Sequence, residues 1–205
     1  TAVLARPEDM GGRYDGYFAA LNQTLRANGI DRPVLVIDLD RLDRNIDRVV
    51  KSAAIAPAKT WRVVVKSLPS PQLVDYVARR ANTQALMCFH RPFIEAMARL
   101  RPQSEILLGK PMPVAAALDF YQRLPAASSF VPSRQLTWLI DSPERLRQYA
   151  DLAQALQQPL QIALEINVGL ERGGFADPAA LAKALRELHA SQAPLQVRGL
   201  MGYDA

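Results

Sequence analysis

The sequence predicts an α/β protein with a parallel sheet. Three features predict it. From residue 61 onward, apolar runs of strand length alternate with helical patterns; the runs are continuously apolar; and helix starts carry cap-and-proline signals. The runs are Trp61–Val65, Ala85–Phe89, Glu105–Leu108, Leu136–Ile140, Gln161–Val168 and Val197–Tyr203, and a helical pattern follows each but the last. A strand covered by helices on both faces has no solvent side to alternate with, hence the unbroken runs. Asp141-Ser-Pro-Glu144 sets an N-cap candidate at Asp141 ahead of a first-turn proline, and Asp177-Pro178 repeats the signal. A doubly wound sheet and a (β/α)8 barrel both fit these units, and the residues alone leave the two open. A barrel needs eight strands, so the runs found here would make it incomplete within this chain.

Upstream, residues 1–12 carry no regular pattern. Residues 1–32 read as an N-terminal extension with one helix, Asp15 to Ala27, where Tyr17, Phe18, Leu21 and Leu25 fall at helical spacing. Gly29 fits the position just past the end of that helix, which favours a residue without a Cβ. Pro33-Val-Leu-Val-Ile-Asp38 reads as a short strand. Asp40 then reads as the cap of a helix with Leu42, Ile46, Val49 and Val50 as its buried stripe. No internal repeat, low-complexity stretch or linker interrupts the rest, so residues 33–205 read as one domain.

Composition narrows the function classes. The chain has 205 residues, 49% hydrophobic and 22% charged, as in an ordinary globular protein with one sizeable core. A single cysteine, Cys88, excludes an intramolecular disulfide. No apolar run is long enough to cross a membrane as a helix. The net charge is +5, but Lys and Arg are interspersed with acids, as in residues 40–48. Without a basic block interleaved with aromatics, that charge reads as solvated helix faces biased towards anionic ligands, not as a nucleic-acid surface. The apolar opening Thr1-Ala-Val-Leu-Ala5 reads as a trimmed terminus or as the tail of a signal sequence. The expected compartment is the cytoplasm, with the periplasm as the alternative.

In either architecture the chemistry belongs at the carboxyl ends of the strands. Those ends carry Lys66-Ser67, then Cys88-Phe-His90-Arg91, Gly109-Lys110, Asp141-Ser142, the stretch from Glu165 to Gly174, and Gly199-Leu-Met-Gly-Tyr-Asp204. Lys66 directly ends a Val-Val-Val run, where an apolar neighbourhood favours the neutral amine needed for a Schiff base. An ordinary solvated lysine is the plainer alternative. The glycines around Arg172 match neither a dinucleotide fingerprint nor a P-loop; they point to a tight turn. His90 and His189 are too far apart for a metal pair, Cys88 reads as core, and no zinc-ligand cluster or nucleophile elbow is present.

Four segments, in order, resemble the fold-type III enzymes of pyridoxal 5′-phosphate (PLP), which include alanine racemase, D-threonine aldolase and D-serine dehydratase. Pro33 to Asn45 resembles their leading strand and first helix, and Val63-Val-Val-Lys-Ser67 their lysine strand. Glu165 to Phe175 resembles their fifth-strand turn, and Gly199 to Ala205 their sixth-strand motif. Together these span residues 33–205. The resemblance implies an alanine racemase-like barrel, of which this chain holds the first six strands, with a leading strand shared with a C-terminal β domain.

The resemblance also implies roles. Lys66 would carry PLP as a Schiff base and then act as a base on one face of the substrate. Arg172 would donate to the cofactor's phenolate oxygen. Tyr203, at the position of a racemase histidine, would lie against the pyridine ring. Glu165 stands where many racemases carry a carbamylated lysine, and would hold an arginine in the same way. Asn167 stands where the aldolase and dehydratase branch often has Asp. Catalysis would therefore fall to Lys66 and Tyr203, with Arg172, Glu165 and Asn167 completing the cofactor set.

Lys66 is followed by Ser-Leu-Pro-Ser-Pro, not by the Ala-x-x-Tyr-Gly of alanine racemase, and Leu68 replaces a histidine frequent in the aldolase and dehydratase branch. The expected activity is a PLP-dependent D-amino-acid lyase or deaminase. The alternatives are an amino-acid racemase and a non-catalytic PLP carrier, the last disfavoured by the apolar segment Val34–Ile37. A divalent metal would fit the lyases, with its ligands outside this chain. The expected partners are a small amino-acid substrate and a second copy in a homodimer.

Overall fold

In the computed structural model the described residues are 15–56, 59–169 and 171–204, so the irregular pattern expected over residues 1–12 lies outside them. They fall into two compact units, one ending at Leu42 and the other beginning at Asp43.

The first unit holds helix α1, Asp15–Ala27, with the predicted bounds. Just past its end, Gly29, with a φ of 68°, turns the chain so that the Ile30 N–H donates to the Leu25 carbonyl at 2.9 Å. The strand expected at residues 33–38 does not form. The segment pairs with no other among the described residues, and Leu35 is 100% exposed. An apolar, β-branched run favours extended backbone, but only a neighbouring strand makes it a ladder. Helix α2, Leu39–Ala53, starts two residues earlier than a cap at Asp40 would place it. Its cap is Asp38, whose Oδ1 accepts from the Arg41 N–H at 3.0 Å. Of the expected stripe Ile46 is buried, whereas Val49 is 43% exposed.

The second unit is a six-stranded sheet: β1 Val63–Val64, β2 Ala85–Cys88, β3 Glu105–Leu108, β4 Leu136–Ile140, β5 Leu160–Glu165 and β6 Leu195–Met201. Helices α3 Pro71–Arg80, α4 Arg91–Leu100 and α5 Val114–Arg123 follow the first three strands. A short α6, Pro132–Gln135, leads into β4, and α7 Pro143–Leu156 and α8 Pro178–Ser191 follow β4 and β5. All strands are parallel and lie side by side in chain order. That order decides the question the residues leave open: a doubly wound sheet reverses its strand order at a switch point, and this sheet never does. The fold is α/β of the (β/α)8-barrel type, with six consecutive barrel strands.

Packing follows the pattern. All six residues of β5 are buried. Trp138 of β4 packs against Phe120, Tyr121 and Tyr149, and its indole N–H donates to the Tyr121 hydroxyl at 3.0 Å. Asp177 caps α8, accepting from the Ala180 N–H at 2.8 Å. For α7 the cap is Ser142, one residue later than Asp141; its hydroxyl accepts from the Arg145 N–H at 3.1 Å, which leaves the Asp141 carboxylate to face Arg145 Nε at 3.5 Å. At the amino-terminal edge of the sheet, buried Arg101 donates to Asp75 at 2.6 Å, to Gln84 at 2.9 Å, and to the Thr83 carbonyl and Ser104 hydroxyl at 3.3 Å each. No helix among the described residues is long and apolar enough to cross a membrane.

Candidate functional site

Parallel strands in one sheet put all their carboxyl ends on one edge. Each candidate therefore reaches that edge by its place in the chain: Lys66 after β1, Lys110 after β3, Asp141 after β4, Glu165 as the last residue of β5 with Asn167 and Arg172 after it, and Tyr203 after β6.

The β5 end is the most constructed part. The predicted run to Val168 stops at Glu165, because the chain folds back on itself there. The Phe175 N–H donates to the Glu165 carbonyl at 2.8 Å, and the Asn167 N–H to the Phe175 carbonyl at 3.0 Å. Buried Phe175 pins this return. Gly174 makes it sterically possible: its φ is +96°, and a Cβ there would sit 2.8 Å from the Glu165 carbonyl oxygen. Asn167 Oδ1 accepts from the N–H groups of Gly169 at 3.0 Å and Glu171 at 3.3 Å. Its side-chain oxygen thus shapes the loop that carries Arg172.

Arg172 is held between two groups. Its Nη2 lies 3.9 Å from Glu165 Oε1, and its guanidinium sits over the Tyr203 ring with 4.3 Å to the centroid. Glu165, Asn167, Arg172 and Tyr203 line one small crevice. One face of Tyr203 is therefore occupied by the guanidinium. Glu165 is 4% exposed. Burial, the largest influence, raises its carboxyl above the usual carboxylate range; Arg172 and Lys110 oppose that, and Asp141 reinforces it. The strand-end candidates Lys110 and Asp141 thus act on the same carboxylate.

Lys66 belongs to a different cluster. β1 is only two residues long and passes into a single 3-10 turn, Val65–Ser67, that buries Val65 and leaves Lys66 exposed. The apolar neighbourhood expected of it is one aromatic ring: Nζ lies 4.4 Å from the centroid of Phe89, just after β2. The other candidates stand apart. Cys88 is buried, and burial pushes its thiol up to about 12, which fits core and not a nucleophile. His90 packs at a tilt against Phe93, with ring centroids 4.5 Å apart, and His189 is exposed in the last turn of α8. Spacing alone does not single out Phe89 or Gly109. The signal that finds them is an aromatic just past one strand end beside a glycine just past the next.

Compared with known proteins, the family model of the alanine racemase N-terminal domain matches residues 37–205. The chain belongs to this family. Among solved structures, a variant of D-threo-3-hydroxyaspartate dehydratase is 21% identical with a TM-score of 0.66, over 89% of this chain and 46% of that one. The D-threonine aldolase of Filomicrobium marinum is 22% identical with a TM-score of 0.63, over 83% and 43%. The histidine racemase of Leuconostoc mesenteroides subsp. sake is 18% identical with a TM-score of 0.62, over 80% and 41%. The chain thus spans less than half the length of these structures, and they share its fold. No curated protein matches it.

For an alanine racemase N-terminal domain, the donor set at this edge fits the cofactor its resemblance implies. Lys66 offers an accessible amine for an aldehyde. Arg172 offers a cation, 31% exposed and 3.9 Å from a buried carboxylate, as an aromatic oxyanion needs. Tyr203, 42% exposed, offers aromatic surface.

Proposed function

We propose that the protein is a PLP-dependent enzyme of amino acids, a lyase or deaminase of D-amino acids, with PLP held on Lys66 in a barrel domain of residues 33–205. The observation that carries this reading is the pairing of strand ends. One edge of a parallel barrel sheet presents an exposed lysine amine after β1 and, after β5, an arginine anchored by a buried carboxylate. When bound, PLP supplies the electron sink for bond breaking at the substrate's Cα. Lys66 would tether the cofactor and, once displaced by substrate, hold or release a proton at Nζ. Arg172, steadied by Glu165, would keep a fixed positive charge against the cofactor's oxyanion. Tyr203 would cover one side of the site, and Asn167 would keep the Arg172 loop in shape.

Two observations favour a lyase over a racemase. Ser-Leu-Pro-Ser-Pro after Lys66 departs from the racemase pattern. The dehydratase and aldolase structures are 21–23% identical to this chain, against 13–18% for the racemases. The second reading, a racemase, is favoured by the histidine and alanine racemases of the same fold, and would need a second proton-transfer group facing Lys66. A homodimer is the expected assembly.

The test is PLP uptake by the intact protein beside Lys66→Ala, read as a visible absorbance band and as cofactor mass fixed on the lysine by borohydride. The band is expected in wild type and absent from the variant; a variant that keeps it, or a wild type without it, overturns the reading. A panel of D- and L-amino acids then separates the activities. Ammonia or aldehyde release from D-substrates marks a lyase, and loss of optical purity a racemase.

A further inference from the structure

The geometry points to Phe89, seated on Gly109, as the positioning residue for Lys66 Nζ; this rests on the reading of Lys66 as the cofactor lysine. Three successive strand ends build the arrangement. The Gly109 N–H donates to the Cys88 carbonyl at 2.8 Å, which sets the end of β3 beside the residue that leads to Phe89. A Cβ on Gly109 would lie 2.5 Å from Phe89 Cζ and 2.6 Å from Cε1, so the ring fills the space a side chain would take. The Met87 sulfur, 2.8 Å from the same point, closes the other side. The ring is thus wedged, half-buried, with one face turned to Lys66 Nζ at 4.4 Å. Among the described residues, no carboxylate or carbonyl is placed as a hydrogen-bond or ion-pair partner of that ammonium.

A flexible four-carbon side chain on an exposed turn samples many rotamers. A ring face attracts the ammonium and narrows them without engaging a lone pair or adding a competing charge. An acid in Phe89's place would pair with the amine. Phe89 instead holds it at the barrel mouth without a salt bridge, so the amine has only to lose its proton to meet an aldehyde. Gly109 acts through Phe89: any larger residue displaces the ring.

The test has two arms on the intact protein. In the first, without cofactor, lysines are competitively acetylated at one fixed pH and quantified by mass, with Lys110 and Lys183 as internal references. Phe89→Leu is expected to raise Lys66 labelling about two- to five-fold, the effect of an exposed cation–π contact. Phe89→Tyr should keep the wild-type rate, and Gly109→Ala should behave like Phe89→Leu. Unchanged labelling in Phe89→Leu overturns the contact. In the second arm, PLP affinity is measured from the visible band. Phe89→Leu should weaken it by a similar factor and Phe89→Tyr should not. A Phe89→Leu protein with wild-type affinity overturns the positioning role even if labelling changes. A wild type that fixes no PLP on Lys66 overturns the cofactor reading itself, and the role with it, while the first arm still decides the contact.

Discussion

Two carboxylates at opposite edges of the sheet carry their charge in opposite ways. At the amino-terminal edge Asp75 faces Arg101 at 2.6 Å and Arg79 at 2.9 Å, and Arg101 is bonded to three further groups. Burial raises the Asp75 carboxyl, but the hydrogen bonds and charges of the two arginines outweigh it and leave it below its ordinary value. At the carboxyl-terminal edge Glu165 has one ion pair among the described residues, at 3.9 Å, and burial leaves it above the usual range. A saturated charge network of this kind ties helices to strands. A buried carboxylate whose ion-pair partner lies 3.9 Å away costs the fold something, and it sits where the barrel type places its chemistry. The first carboxylate is held by two close guanidiniums, and the second by one at 3.9 Å.

The strongest way to break this contrast is to remove Arg101. Arg101→Ala leaves Asp75 with Arg79 alone and removes the donor to Gln84, the Thr83 carbonyl and Ser104, and about 3 kcal/mol should be lost in denaturant unfolding with PLP uptake by the folded fraction unchanged. Because the Asp75 carboxyl is lowered in the folded state, its contribution is present above its ordinary value near 3.8 and is lost as pH falls through the folded value. The gap between wild type and Arg101→Ala should therefore narrow in acid.

Gly174→Ala comes next. It forces a left-handed backbone on a residue with a Cβ and meets the Glu165 carbonyl, so about 2 kcal/mol should be lost together with the Arg172 loop geometry, seen as weaker PLP binding. Glu165→Gln sharpens the contrast, since it should weaken PLP binding while changing stability by less than about 1 kcal/mol. Its sign depends on pH. A carboxyl raised in the folded state contributes stability below its ordinary value of 4.5 and loses it as pH rises through the folded value. Relative to wild type, Glu165→Gln should then gain stability across the interval just above pH 4.5, followed by thermal unfolding at stepped pH. Tyr203→Leu is the mildest: it removes the ring beneath Arg172, for roughly 0.5–1 kcal/mol of stability, read as a small Tm shift.

The sheet was legible because unbroken apolar runs at regular spacing are local signals, and all six runs form parallel strands. The segment at residues 33–38 carries the same signal and makes no strand, because pairing depends on a neighbour that a run of side chains does not encode. Caps shifted by a residue or two, from Asp40 to Asp38 and from Asp141 to Ser142, because adjacent acids and hydroxyls compete for the same N–H groups. The strand-end residues could be named from order alone. Their grouping could not: the contact of Lys66 with Phe89, and of Arg172 with Tyr203, depends on loop paths such as the return pinned by Phe175.

The chain-order sheet also bears on how the molecule assembles. Every strand from β2 onward pairs with the one made just before it. A polypeptide emerging from the ribosome amino-terminus first always finds its template already in place. Each βα unit can dock as it appears, closing only a short loop and waiting for nothing downstream. The lysine strand is laid down first and the Arg172 loop and Tyr203 last, so both sets of residues stand on the carboxyl edge only when the sixth strand has been added.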